Sequence, residues 1–187
     1  MQSKKTNSPK FFQIKIVLAE VKPSVWRRVL VPGSMTLHKL HKVIQAAMGW
    51  TDSHLHQFTL DDRLFSLPSP EDWEPVEDER KFTLEQLVPF EKTQFFYEYD
   101  FGDGWSHSLL VEKITTSGSE SLVRCLDGKR ACPPEDVGGP WGYKDFLKAI
   151  RDPNHEEHDS YLEWAGGPFD PELCDLAEIN AALKRIK

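Results

Sequence analysis

The chain has 187 residues, 39% of them apolar and 28% charged, with a net charge of -7. This is the composition of an ordinary folded domain with room for a substantial core, which argues against a disordered or fibrous chain. The acidic balance opposes direct nucleic-acid binding through a broad basic face, and no apolar run reaches the roughly 18–20 residues of a membrane span. The amino terminus lacks the apolar segment of a secretory signal, and three cysteines form an odd set unlike a secreted disulfide framework. A cytoplasmic protein with reduced thiols is therefore expected.

Residues 1–10 are polar and read as a flexible tail, leaving 11–187 as a single domain. Phe12, Ile14, Ile16 and Leu18 alternate with Gln13, Lys15, Val17 and Ala19, the pattern of a strand with one buried face. Val25 to Val31 reads as its hairpin partner, stopping at Pro32-Gly33. Thr36 is placed to cap a helix in which Leu37, Leu40, Ile44, Ala47 and Met48 share a face, with Gly49 at its end. A third strand is expected over His54 to Leu60.

The segment from Pro68 to Lys81 is rich in acids and prolines without apolar period, and reads as a solvated surface loop. Phe95, Tyr97, Tyr99 and Phe101 then alternate with Glu98 and Asp100 as another strand. Gly102-Asp103-Gly104 is suited to a tight turn, and Ser106 to Ile114 forms the returning strand. Leu122 to Cys132 is expected to be a further hairpin around Asp127-Gly128. Helices follow over Tyr143 to Arg151, around Tyr161 to Trp164, and after Asp175, where Glu178 completes a capping-box pattern. The whole predicts an α+β fold. A mostly antiparallel sheet, with a β-grasp-like start of hairpin, helix and strand, carries a helix across it and ends in a helical part.

The densest chemistry lies in Tyr97 to His107. His54 and His56 would share one strand face, so with Asp100, Asp103 or His107 they could clip a divalent metal, as in histidine-carboxylate sites. The alternative is that both imidazoles are half-buried and hydrogen-bonded. Asp103 between two glycines also suits a turn that caps backbone amides, and an acid-base couple of His107 with Asp100 is conceivable, but no nucleophile elbow accompanies it. Trp50, Trp105 and Trp141 each stand beside a glycine or an element end. They would either converge on a ligand platform or plug the ends of the core.

Cys125 and Cys132, flanking the predicted turn, would lie about 7–8 Å apart as diagonal neighbours, beyond disulfide reach. Arg27-Arg28 and Lys129-Arg130 are the local basic pairs. Gly138-Gly139-Pro140-Trp141-Gly142 precedes a helix whose free amides suit an anion, although Glu135 and Asp136 lie beside it.

Trp26-Arg27-Arg28-Val29, Leu37-His38 through Met48-Gly49-Trp50, His54-Leu55-His56-Gln57-Phe58, Tyr99 through Trp105 and Cys125 through Gly142 occur in that order. Together they resemble the plasmid pRiA4b ORF-3-like family from about Phe11 to the carboxyl end. The resemblance implies an intracellular α+β domain found in bacteria and archaea, without an agreed activity or catalytic residues. Some members carry a resolvase label, but a serine recombinase needs an activated serine among arginines and a DNA-binding extension, and this acidic chain shows neither. Three readings follow: a non-enzymatic module that binds a protein or small ligand, a hydrolase-like metal-dependent enzyme using His54 and His56, and an accessory factor acting near DNA through a partner.

Overall fold

A computed structural model describes residues 8–70, 74–116 and 123–186. Its centre is an eight-stranded sheet. In chain order the strands are β1 (Lys10–Leu18), β2 (Trp26–Pro32), β3 (His56–Leu60), β4 (Arg63–Ser66), β5 (Glu77–Asp78), β6 (Gln94–Tyr99), β7 (Trp105–Thr116) and β8 (Arg124–Lys129). They lie in the order β5-β4-β3-β6-β7-β1-β2-β8, antiparallel except where β4 meets β5. The helices are α1 (Leu37–Met48), α2 (Leu84–Leu87), α3 (Gly139–Arg151), α4 (His158–Trp164) and α5 (Leu176–Leu183), with a 3-10 turn at Glu79–Lys81. No helix among the described residues is long and apolar enough to cross a membrane.

The predicted hairpins β1–β2 and β6–β7 form, with Phe12 opposite Val31 and Tyr99 opposite Trp105. The apolar stripe of α1 packs with Phe12, Ile14, Ile16, Val29, Phe58, Tyr97 and Leu109 in one core. Thr36 caps α1 through Lys39 N, and Gly49 ends it in the left-handed region at φ 91°. The mixture of antiparallel sheet and separate helices is the α+β class.

Five expectations need correction. Strand β3 begins at His56, so His54 belongs to the preceding loop. Phe101 is 51% exposed because the chain leaves β6 at Asp100, whose φ of 56° breaks the alternation. The predicted hairpin around Asp127-Gly128 is instead one strand that runs through those residues beside β2. A bulge between Arg28 and Val29 absorbs the extra residue there. The part of that prediction at Leu122 falls outside the described residues. In the acidic segment, Glu77 and Asp78 pair with β4 and Glu79 is fully buried, so it is not simply a solvated loop. Glu71 and Asp72 lie outside the described residues. Strand β1 also starts at Lys10, inside the predicted tail.

Strand β8 is an edge, and α5 completes it. Asn180 Oδ1 accepts from Cys125 N at 2.9 Å while its Nδ2 donates to Cys125 O at 2.9 Å, so one amide stands in for a neighbouring strand. Asn180→Leu should therefore leave two buried backbone groups unpaired and lower stability by about 1–3 kcal/mol. Urea unfolding checks this, and an unchanged midpoint would contradict it.

Candidate functional site

Three loops meet at one end of the sheet, and the β6–β7 turn is the keystone. Asp100 folds that turn on itself: its carbonyl accepts from Gly104 N at 2.6 Å and its Oδ1 accepts from Gly102 N at 3.0 Å. Asp103 then reaches α3, where its Oδ2 accepts from Gly138 N at 3.2 Å. Gly139 must be glycine here, since a Cβ would fall 2.3 Å from Asp103 O and φ is +68°. An internal carboxylate thus answers the helix terminus that the glycine-rich loop suggested as an anion site.

The third loop is the one before β3. Glu135 accepts from Thr51 N at 3.1 Å and from Tyr99 OH at 2.5 Å, while Ser53 N donates to Tyr99 OH at 3.0 Å. Burial and the Glu135 bond both push the Tyr99 hydroxyl well above its ordinary value, so it stays a donor. This frame sets His54 with its Nε2 3.2 Å from Asp136 Oδ1 and 3.8 Å from Asp100 Oδ2.

His56 belongs to a different cluster, on the sheet face beneath α1. Its Nε2 meets Glu79 Oε2 at 2.9 Å, and His38 Nδ1 meets Glu79 Oε1 at 2.8 Å. Glu79 gets there because the chain after it is stitched to the start of α1, with Leu37 N donating to Phe82 O and Leu84 N to Met35 O. Burial raises the Glu79 carboxyl, but hydrogen bonds from His56 and His38 outweigh it and hold it below its ordinary value.

The His41 ring stacks on His56 at 3.5 Å, only 4° from parallel. Its Nε2 meets Asp52 Oδ1 at 2.7 Å and its Nδ1 meets Tyr97 OH at 2.8 Å. A carboxylate only accepts, so Nε2 carries the proton and Nδ1 accepts from Tyr97. Gln45 fits this assignment, with its Nε2 donating to Tyr97 OH at 3.0 Å and its Oε1 accepting from Asp52 N at 3.0 Å. The His41 base is driven down to about 4 by burial first and then by the neighbouring His56.

Among the described residues, two groups of three ligating side chains close to within 4.8 Å: His41, Asp52 and His56, and His54, Asp100 and Asp136. The first is poorly disposed to hold one ion. Parallel stacked rings hold their in-plane lone pairs in separate parallel planes, so the two cannot both aim squarely at one ion, and both Nε2 atoms are already bonded to carboxylates. The predicted sharing of one metal by His54 and His56 is therefore corrected, because the two rings face different carboxylates.

The remaining candidates separate in the same way. His107 is buried with its Nδ1 on Tyr97 O at 3.3 Å, whereas Asp100 serves its own turn, so the proposed acid-base couple does not assemble. Burial lowers the His107 base to about 4. Trp50 and Trp105 plug the core together, their rings 5.9 Å apart, but Trp141 stands away from them at 76% exposed. Cys125, Cys132 and Cys174 are free thiols, and burial raises those of Cys125 and Cys132.

The basic pairs are mostly spoken for. Arg27 is buried and donates from Nε to Ala47 O at 2.9 Å, Arg28 pairs with Glu112 and Asp127, and Arg130 pairs with Glu172. A different set of cations is free to act. Lys22, Lys144, Lys148 and Arg151 line a groove of about 860 Å³ with Val21, Trp141, Tyr143 and Leu147, beside Glu20 and Asp145.

Sequence reasoning missed Glu79, His41, Asp136 and this groove. Two signals were present. His41 and Gln45 follow Leu37 at four-residue spacing, on the buried stripe of α1. Trp141, Lys144, Lys148 and Arg151 share one helical face. For Glu79 no local signal exists, since its burial comes from long-range pairing.

A family model described as plasmid pRiA4b ORF-3-like protein matches residues 10–178. An uncharacterized protein, y4hQ of Sinorhizobium fredii (strain NBRC 101917 / NGR234), is 42% identical over 174 residues, spanning 91% of this chain and 89% of that protein. The crystal structure of MM3350, a protein of unknown function from Methanosarcina mazei Go1, superposes with a TM-score of 0.82 at 34% identity. That match spans 91% of this chain and 97% of the other.

The two depressed imidazoles set a pH dependence. An unfolded histidine takes a proton near pH 6.5, but His41 and His107 resist it until about 4. Their neutral form therefore carries no penalty above 6.5, and stability drops as pH falls from 6.5 toward 4, by up to about 3 kcal/mol per histidine. Below about 4.5, loss of the Glu79 carboxylate adds to the fall. Urea unfolding between pH 7 and 4 should show this decline, and equal stability at both ends would contradict it.

Proposed function

This chain belongs to the plasmid pRiA4b ORF-3-like family, whose relatives described above have no assigned activity, and we propose that it is a binding module acting through the groove beside α3. The observation that carries this reading is the exposed Trp141 at the groove's edge. An indole 76% exposed on a regular helix is an unused apolar anchor, and tryptophan is prominent among the residues that dominate binding energy. Lys144 Nζ lies 5.7 Å from the Trp141 ring centre and presents its charge beside it.

Charge selects the partner. Four cations against two acids line this groove in a chain of net charge -7, so the surface inverts the sign of the molecule and suits an acidic ligand. From Lys144 to Arg151 the cations span about 10 Å of helix, a length matched by three or four residues of extended chain. We therefore assign the groove an acidic protein segment that lays an apolar side chain against Trp141. The imidazoles support this reading over catalysis, as His38, His41, His56 and His107 are engaged in internal hydrogen bonds.

A fluorescein-labelled peptide of alternating Asp and Glu with one central Phe tests this by fluorescence anisotropy. Trp141→Ala and Lys144→Glu/Lys148→Glu should each weaken binding at least about tenfold, a loss of about 1.4 kcal/mol, and added salt should weaken it further in the wild type. Equal affinity for a lysine-based counterpart, or no effect of either variant, would contradict the proposal.

A further inference from the structure

Away from the groove, we infer that His54, Asp100 and Asp136 form a binding site for a divalent transition-metal ion. These side chains come from three separate loops, yet their ligating atoms all lie within 4.8 Å of one another. His54 Nε2 is 3.2 Å from Asp136 Oδ1 and 3.8 Å from Asp100 Oδ2. With metal-ligand bonds of about 2.1 Å, adjacent ligand atoms stand about 3.0 Å apart in an octahedral shell and about 3.4 Å apart in a tetrahedral one. The 3.2 Å separation matches adjacent ligands of such a shell, and the 3.8 Å separation needs only a small closing movement.

The state of His54 is the independent observation. Its Nε2 is shielded from solvent and makes no hydrogen bond to any described residue, although a carboxylate oxygen is 3.2 Å away. The two side chains stand at ion-pair distance without the geometry of a hydrogen bond. A shielded polar nitrogen without a partner is costly, and a cation between it and the two carboxylates would satisfy all three groups.

The surroundings fix the ligands in advance. Asp100 uses Oδ1 to accept from Gly102 N at 3.0 Å, which leaves Oδ2 turned to His54. The Tyr99 ring meets the His54 ring edge-on at 5.7 Å, and Ser53 N is tied to Tyr99 OH at 3.0 Å. Asp136 has its side chain 70% exposed and forms the open side, where water would complete the shell. One imidazole with two carboxylates suits zinc, manganese or iron rather than a soft thiolate-seeking ion.

The test is calorimetric titration of the full chain with Zn2+, beside His54→Ala and Asp136→Asn. The expected result is one zinc per chain, weakened at least about a hundredfold in both variants, since even outer-shell partners contribute about 10–100-fold. Asp136→Asn alters an exposed side chain, and unchanged metal-free thermal unfolding separates lost ligation from lost fold. Substitution with Co2+ reports the donors: a spectrum without thiolate charge-transfer absorption fits this site. Absence of zinc binding at tens of micromolar, equal binding by wild type and Asp136→Asn, or thiolate absorption from the cysteines would each overturn the assignment.

Discussion

The contact between the β6–β7 turn and the first turn of α3 organises the end of this molecule where the candidate site lies. One hydrogen bond, Gly138 N to Asp103 Oδ2, and the close approach of Gly139 to the Asp103 carbonyl dock a helix onto the end of the sheet. Both surfaces with chemical character hang on that junction. On one side it brings Asp136, two residues before the cap, to His54 and Asp100. On the other it starts α3, whose Trp141, Lys144, Lys148 and Arg151 face the groove. A helix docked by a carboxylate at its amino terminus is favoured by its dipole as well as by the hydrogen bond.

The polar interior beneath α1 has a different role. Glu79 with His56, and His41 with Tyr97, Gln45 and Asp52, form two hydrogen-bonded sets joined by the stacked rings of His41 and His56. Such a network specifies one arrangement of α1 over the sheet, because a shifted helix would leave several buried groups unpaired. It also explains why so many histidines here need not signify catalysis. Burial keeps His41 neutral well below the usual imidazole range, which spares the stack at 3.5 Å the repulsion of two charged rings.

Periodicity made the architecture legible. The β1–β2 and β6–β7 hairpins and α1 with its Thr36 and Gly49 ends are local patterns, and they stand where alternation and capping placed them. What alternation could not show is where a strand stops being a strand. His54 lies before β3 and Asp100 turns into the left-handed region, so two candidate ligands met through loops rather than through a shared strand face. Asp127-Gly128 reads as a turn by composition but is carried inside an edge strand, because pairing with β2 and the Asn180 clamp outweigh local preference. Glu79 was hidden among neighbouring acids, since only the pairing of the following segment with the start of α1 buries it. Trp141 was visible as a residue but not as an exposed one.

The account turns on Trp141 being the anchor of a binding surface while Trp50 and Trp105 are core. Six tryptophans give each indole N–H its own nuclear magnetic resonance signal, so a titration with an acidic peptide reads the surface residue by residue. The account predicts that the Trp141 indole moves with saturable dependence while those of Trp50 and Trp105 stay fixed. Shifts centred on Trp50 or Trp105, or a Trp141 signal that never responds, would contradict it.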